Sequence, residues 1–132
     1  MKIQLCLHVD PVPASRPRLA TRGKFAHAYY VGRYKVFLKD TGPKALKAAL
    51  ESCGHNCFPL PGPLAVSIRC ISKRPKTTKR HWPKMDVDNL AKGVLDVMEQ
   101  GGVVVNDDQV TLLEVSKEYG GEPCIEIVIQ VL

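Results

Sequence analysis

Apolar and polar residues alternate at the start of the chain. Ile3, Leu5, Leu7 and Val9 are interleaved with Lys2, Gln4, Cys6 and His8. A period of two sends the apolar set to one face and predicts a half-buried strand. Asp10-Pro11-Val12-Pro13 ends it, because proline lacks the N–H a ladder needs. From Ser15 to Tyr30 arginine, proline, glycine and aromatic residues dominate, predicting an extended basic loop with room for a short hairpin. The period then changes. Tyr34, Phe37 and Leu38 fall at i, i+3 and i+4, and Leu46, Ala49 and Leu50 repeat the pattern. This predicts a helix from about Val31 to Cys53, broken or kinked at Gly42-Pro43.

Prolines and glycines make Cys53 to Pro63 a loop, and the alternation of Leu64, Val66, Ile68 and Cys70 predicts a second long strand as far as Ile71. A basic loop, Lys73 to Lys84, leads into a helix from about Val87 to Gln100. Its stripe is Leu90, Val94, Leu95 and Met98, and Gly101-Gly102 closes it. Val103-Val104-Val105 forms a short strand or the entry to an Asn106-Asp107-Asp108 turn. Val110, Leu112 and Val115 begin another strand, Gly120-Gly121 is a turn, and Cys124 to Leu132 is the last strand. The predicted order is β-α-β-α-β-β, without repeats or linkers. The expected fold is α+β, a two-layer sandwich of helices packed on a mixed, largely antiparallel sheet, in a single domain over residues 1–132.

Charge sharpens this picture. The net +6 conceals a strong asymmetry, since residues 1–84 hold 17 basic and 3 acidic side chains while residues 85–132 hold 2 and 10. A chain divided in this way fits a polyanion partner for one part and a separate task for the carboxylates of the other. Five cysteines at scattered spacing argue against a disulfide framework and for a reducing compartment. No apolar run approaches the ~20 residues of a membrane span, and the N-terminus is too short and polar for a signal peptide. A cytoplasmic protein with no membrane partner is expected.

The acids that stand out are Asp86 and Asp88, followed by Asp107 and Asp108 just beyond the next helix. In an extended segment residues i and i+2 point the same way, so Asp86 and Asp88 can face one point. Converging carboxylates suit a hard divalent cation, Mg²⁺ or Mn²⁺. The helix spans most of the 21 residues from Asp86 to Asp107, and its closing glycines turn the second pair back toward the first. Each piece alone has an ordinary reading: Asp88 caps a helix, Asp107-Asp108 shapes a turn, and Lys92 pairs with Asp88 or Asp96 on a helix surface. What those readings leave unexplained is four carboxylates together behind a basic loop.

That loop carries Lys73, Arg74, Lys76, Lys79, Arg80 and Lys84 with no acid, and Trp82 among them. Such cations neutralise phosphates with release of counterions, and Trp82 can stack on an unpaired base or anchor in the core. Arg16, Arg18, Arg22 and Lys24 form a second candidate phosphate-binding patch. These contacts read shape rather than base identity. Other sites are weaker. Cys53, His55 and Cys57 invite zinc but lack the second ligand pair of a structural site. No phosphate-binding glycine loop, dinucleotide fingerprint or nucleophile elbow is present, nor the aromatic run of an RNA-recognition module.

Asp86-x-Asp88-Asn89-Leu90-x-Lys92, then Asp96, Gly102 and Asp107-Asp108-x-Val110, resembles the signature of the RusA-family Holliday-junction resolvases. Ser15-Arg16-Pro17-Arg18 and Tyr29-Tyr30 are similar to the basic entry region of its phage-type members. The resemblance covers nearly the whole chain. It implies that Asp86, Asp88 and Asp108 hold the metal, with Asp107 a neighbouring acid, and that Lys92 serves cleavage. It also implies a homodimer that makes paired symmetric nicks in four-way branched DNA during recombination and repair, in a bacterial or phage-infected cell. The apolar face of the last strand, Ile125 to Val131, is a candidate dimer surface. On this reading the scissile phosphate lies at residues 84–86, where basic loop meets first carboxylate. A different class is a non-catalytic accessory protein that binds branched DNA. A labelled junction incubated with Mg²⁺ or with EDTA separates the two.

Overall fold

A computed structural model describes residues 1–23, 25–30 and 32–132. Strand β1 (Lys2–Leu7) buries Ile3, Leu5 and Leu7 and exposes the alternate residues, as the period of two requires. The Arg-Pro-Gly segment forms a hairpin, β2 (Arg18–Arg22) against β3 (Phe25–Tyr29), as a separate two-stranded sheet. It is an addition to the expected element order.

The long helix is continuous rather than broken. Helix α1 (Gly32–Val36) passes through a wide π turn at Phe37–Thr41 into α2 (Gly42–Ser52). Pro43 cannot donate to the carbonyl of residue 39, and its ring crowds that carbonyl. The wide turn absorbs both problems, with the Gly42 N–H donating to the Phe37 carbonyl, five residues back. Glycine is required there by space. A Cβ on Gly42 would lie 2.6 Å from the Phe37 oxygen and 2.9 Å from Val97 of the neighbouring helix.

Strand β4 (Leu64–Lys73) is followed by helix α3 (Val87–Gln100), which buries Leu90, Ala91, Val94, Val97 and Met98. Gly102, at a φ of 76°, completes its C-terminal reversal. The chain then runs through buried Val103 and Val104, which form no strand, to a 3₁₀ turn at Asp107–Gln109. Strands β5 (Val110–Gly120) and β6 (Cys124–Val131) complete the fold. Ile125, Ile127 and Ile129 of β6 are fully buried in the core, so the apolar face of this strand is not the dimer surface it was a candidate for. The four-stranded sheet has the order β1-β6-β4-β5, with β4 and β5 parallel and the other two ladders antiparallel. The class is therefore α+β, with helices over one face of a mixed sheet. Helix α2 packs on β1, α3 on β5, and the helices on each other.

Among the described residues the core contains no polar or charged side chain. The opposite sheet face is polar. There Arg69 bonds both Glu118 and, at 3.1 Å, Glu126. Arg69 of β4 thus ties β5 and β6 together across this face.

Candidate active site

The β4–α3–β5 unit brings the two ends of the acidic region together. Because β4 and β5 are parallel, α3 crosses over the sheet, and its first turn lies against the inner face of β5. One pocket there is lined by Asp88, Ala91 and Lys92 of α3, Asp107 of the 3₁₀ turn, and Leu113 and Val115 of β5. The structure therefore places Asp88, Lys92 and Asp107 around one space. Asp86 and Asp108 are exposed chain neighbours of this pocket and do not line it.

Local geometry explains why the carboxylates are available. Asp86 has extended backbone (φ −76°, ψ 135°) at the N-cap of α3, yet its side chain makes no capping bond. Asp88 lies one step inside the first helical turn, so the two are not partners on one extended segment, as the i, i+2 argument supposed. Helix geometry replaces strand geometry one residue after Asp86. At the other end, the turn is built by the residues flanking the acids. The Asn106 side chain accepts from the Asp108 amide at 2.9 Å, and Gln109 Oε1 accepts from the amides of Val105 and Asn106. Gln109 Nε2 donates to the carbonyls of Leu60 and Gly62, anchoring the turn to the loop before β4. Asp107 and Asp108 are spared any capping duty. Among the described residues the carboxylates of Asp86, Asp88, Asp107 and Asp108 have no hydrogen-bond or ion-pair partner.

Lys92 is oriented by two residues that pattern reading did not assign to the site. Its ammonium donates to Asp96 at 3.4 and 3.5 Å, one turn along α3, and Asp96 accepts the Tyr34 hydroxyl at 2.6 Å. Tyr34, from α1, is only 2% exposed, so the chain of bonds begins in the core. Burial and the adjacent Asp96 carboxylate both push the Tyr34 hydroxyl well above the ordinary tyrosine range. Of the two partners anticipated for Lys92, the structure selects Asp96.

Lys117 is a third unassigned residue. It stands on the helix-facing side of β5 and donates through Nζ to the carbonyl of Met85, immediately before Asp86. The single sequence signal was that Lys117 and Lys92 are the two cations of the acidic segment.

The donor set is chemically suited to a divalent cation. Hard carboxylate oxygens with no other partner match Mg²⁺ or Mn²⁺, which keep several waters and need few protein ligands. Among the described residues no three such side chains are preassembled at ligating distance. Cys53, His55 and Cys57 do not converge either; the Cys53 thiol contacts the Leu50 and His55 carbonyls, and the Cys57 thiol contacts Met1 Sδ.

The basic residues fall into two groups. Lys73, Arg80 and Lys84 line a cleft beside Met85 and Tyr119, whereas Arg74, Lys76 and Lys79 are exposed on the same loop outside it. Trp82 is 57% exposed and so is not the core anchor that was one of its two readings. Arg16 and Arg18 are exposed near and on β2. Lys24 and the Arg22 side chain lie outside the described residues.

No helix among the described residues is long and apolar enough to cross a membrane. An uncharacterized protein, YqaN, of Bacillus subtilis (strain 168) is 29% identical over 136 aligned positions, which take in 97% of this chain and 95% of that protein. A family model described as endodeoxyribonuclease RusA matches residues 8–130, from the end of β1 to the end of β6 and across every element of the pocket. The chain belongs to the RusA endodeoxyribonuclease family, enzymes that hydrolyse phosphodiester bonds in Holliday-junction DNA with the help of divalent metal.

Proposed function

We propose that this protein is a Mg²⁺-dependent, structure-selective endodeoxyribonuclease, with Mn²⁺ an acceptable substitute. It resolves four-way junctions as a homodimer by paired symmetric nicks, in the recombination and repair of DNA within a bacterial or phage-infected cytoplasm. The observation that carries this reading is the meeting of Asp88, Asp107 and Lys92 at one pocket, beside a run of unpaired cations.

Asp88 and Asp107 would hold the cation from opposite ends of the α3 crossover, with Asp86 and Asp108 as further oxygen donors. When bound, such an ion neutralises charge on the phosphodiester and acidifies a coordinated water. Lys92, held by Asp96, presents its ammonium to charge that develops in the transition state. The Tyr34 hydroxyl fixes Asp96 and so fixes the position of Lys92. Lys117 holds the Met85 carbonyl and with it the backbone that carries Asp86. The exposed loop cations neutralise phosphates on either side of the cut, and Trp82 is free to stack on a base at the branch point.

A homodimer suits a substrate that is itself two-fold symmetric, since two copies of the site can cut strands of like polarity in register. The test is incubation of purified protein with end-labelled four-way junction, flap and linear duplex, in Mg²⁺ or in EDTA. Paired nicks in the junction, in Mg²⁺ alone, are the expected result. Tight junction binding with no nick in any metal overturns the proposal and leaves a binding protein.

A further inference from the structure

We infer that a basic cleft next to the carboxylate pocket is a second DNA-backbone site, which binds phosphates of the cleaved strand a few nucleotides from the cut through Arg33. This rests on the nuclease reading of the carboxylate pocket and adds a residue, a location and a register to it.

The cleft has a volume of about 470 Å³, and its charged lining is Arg33, Lys73, Arg80, Lys84 and Asp10. The four cations come from three parts of the fold: α1, the end of β4 and the loop before α3. None of their side chains makes a hydrogen bond or ion pair among the described residues. Asp10 lines the same space without pairing to any of them. Four like charges gathered around a concave surface repel one another unless an anion enters. Anionic phosphate oxygens satisfy the cations, and the planar Arg33 guanidinium can grip two of them at once.

Position makes the ligand a strand rather than a free anion. The inner face of β5 runs from Leu113 and Val115, which line the carboxylate pocket, through Lys117 to Tyr119, which lines the cleft. From Val115 to Tyr119 is about 13 Å at roughly 3.3 Å per residue. One duplex strand presents a phosphate about every 3.4 Å of axial rise, so up to about four phosphates bridge that span. Lys84 and Met85 line the cleft and Asp86 follows them directly, so a backbone leaving the cut along this wall enters the cleft. Arg33 belongs to no basic run in the sequence; helix α1 delivers it from 40 residues before Lys73.

The experiment is fluorescence anisotropy of a labelled four-way junction in EDTA, which withholds cleavage, over a series of salt concentrations. Arg33→Gln is expected to bind about tenfold more weakly, with a log–log salt slope shallower by about one. Arg33→Lys keeps the charge and retains the wild-type slope. Lys44→Gln is the control, because Lys44 is exposed and already paired to Asp40 at 2.7 Å on the neighbouring helical segment. Replacing single phosphates by neutral methylphosphonates should weaken wild-type binding within about four positions of the cut and have no added effect on Arg33→Gln there. Wild-type affinity and slope in Arg33→Gln, from a protein that does bind and cut junctions, overturn the cleft alone. A wild-type protein that neither binds nor cuts junctions overturns the nuclease reading beneath it.

Discussion

Replacing Lys117 by methionine keeps an apolar stem of similar length and deletes the ammonium that donates to the Met85 carbonyl. A hydrogen bond from a charged donor is worth about 1.5–3 kcal/mol, and this one is partly buried. The bond holds the residue before Asp86, so its loss frees the backbone that aims the first carboxylate. If that energy is expressed where the carboxylate meets its cation, single-turnover cleavage falls about ten- to a hundredfold. The Mn²⁺ concentration for half-maximal cleavage should rise in parallel. Lys117→Arg retains a donor and should recover part of both losses, which a general loosening of the fold would not allow. The assay is cleavage of labelled junction with enzyme in excess, beside a thermal melt of each variant. Wild-type rate and metal dependence in Lys117→Met would refute the positioning role.

Other consequences follow from the same geometry. Tyr34→Phe removes the donor to Asp96 and should lower stability by about 1.5–3 kcal/mol while reducing cleavage severalfold through a less confined Lys92, readable by denaturant melts and single-turnover rates. Gly42→Ala sets a Cβ 2.6 Å from the Phe37 carbonyl oxygen and should cost about 1–3 kcal/mol despite the better helix propensity of alanine, again measured by denaturant melts. Burial pushes the Cys70 thiol up from 9.0 to about 12, so the unfolded chain ionises first and stability falls as pH rises from about 9 toward 12. Below that window native Cys70 should resist iodoacetamide while exposed Cys6 and Cys57 react, as mass spectrometry of trapped adducts will report.

Most of the sheet was legible because its signal is local. Alternation in β1, β4 and β6 depends on neighbouring residues and on one buried face, and those strands lie where the pattern put them. The stripe of α3 was equally plain. Of the break or kink expected at Gly42-Pro43, the helix shows no break; it departs from regular geometry there through a wide turn. The sequence shows the lost donor, but only the packing of Val97 against Gly42 shows why the helix keeps its course with a wide turn. At the site, clustering in sequence drew attention to the four aspartates and Lys92, and the family resemblance set Asp86, Asp88 and Asp108 apart as metal ligands with Asp107 beside them. The crossover of α3 selects Asp88 and Asp107 for one pocket, a matter of helix phase and turn geometry. Tyr34 lies 62 residues from Asp96 and Lys117 lies 32 from Met85, so their roles had no local trace. Arg33 likewise joins the cleft through tertiary packing alone.

If the carboxylates of the α3 crossover serve cleavage and are not structural caps, removing one charge should separate binding from cutting. Asp88→Asn tests it most directly, because the amide keeps the shape and the first turn of α3 while removing the charge. Junction binding in EDTA and junction cleavage in Mg²⁺ should be measured on the same preparation. Binding close to wild type and cleavage reduced by at least about a thousandfold, a loss of roughly 4 kcal/mol of transition-state stabilisation, are expected. Cleavage by Asp88→Asn at the wild-type rate would contradict a cleavage role for these carboxylates.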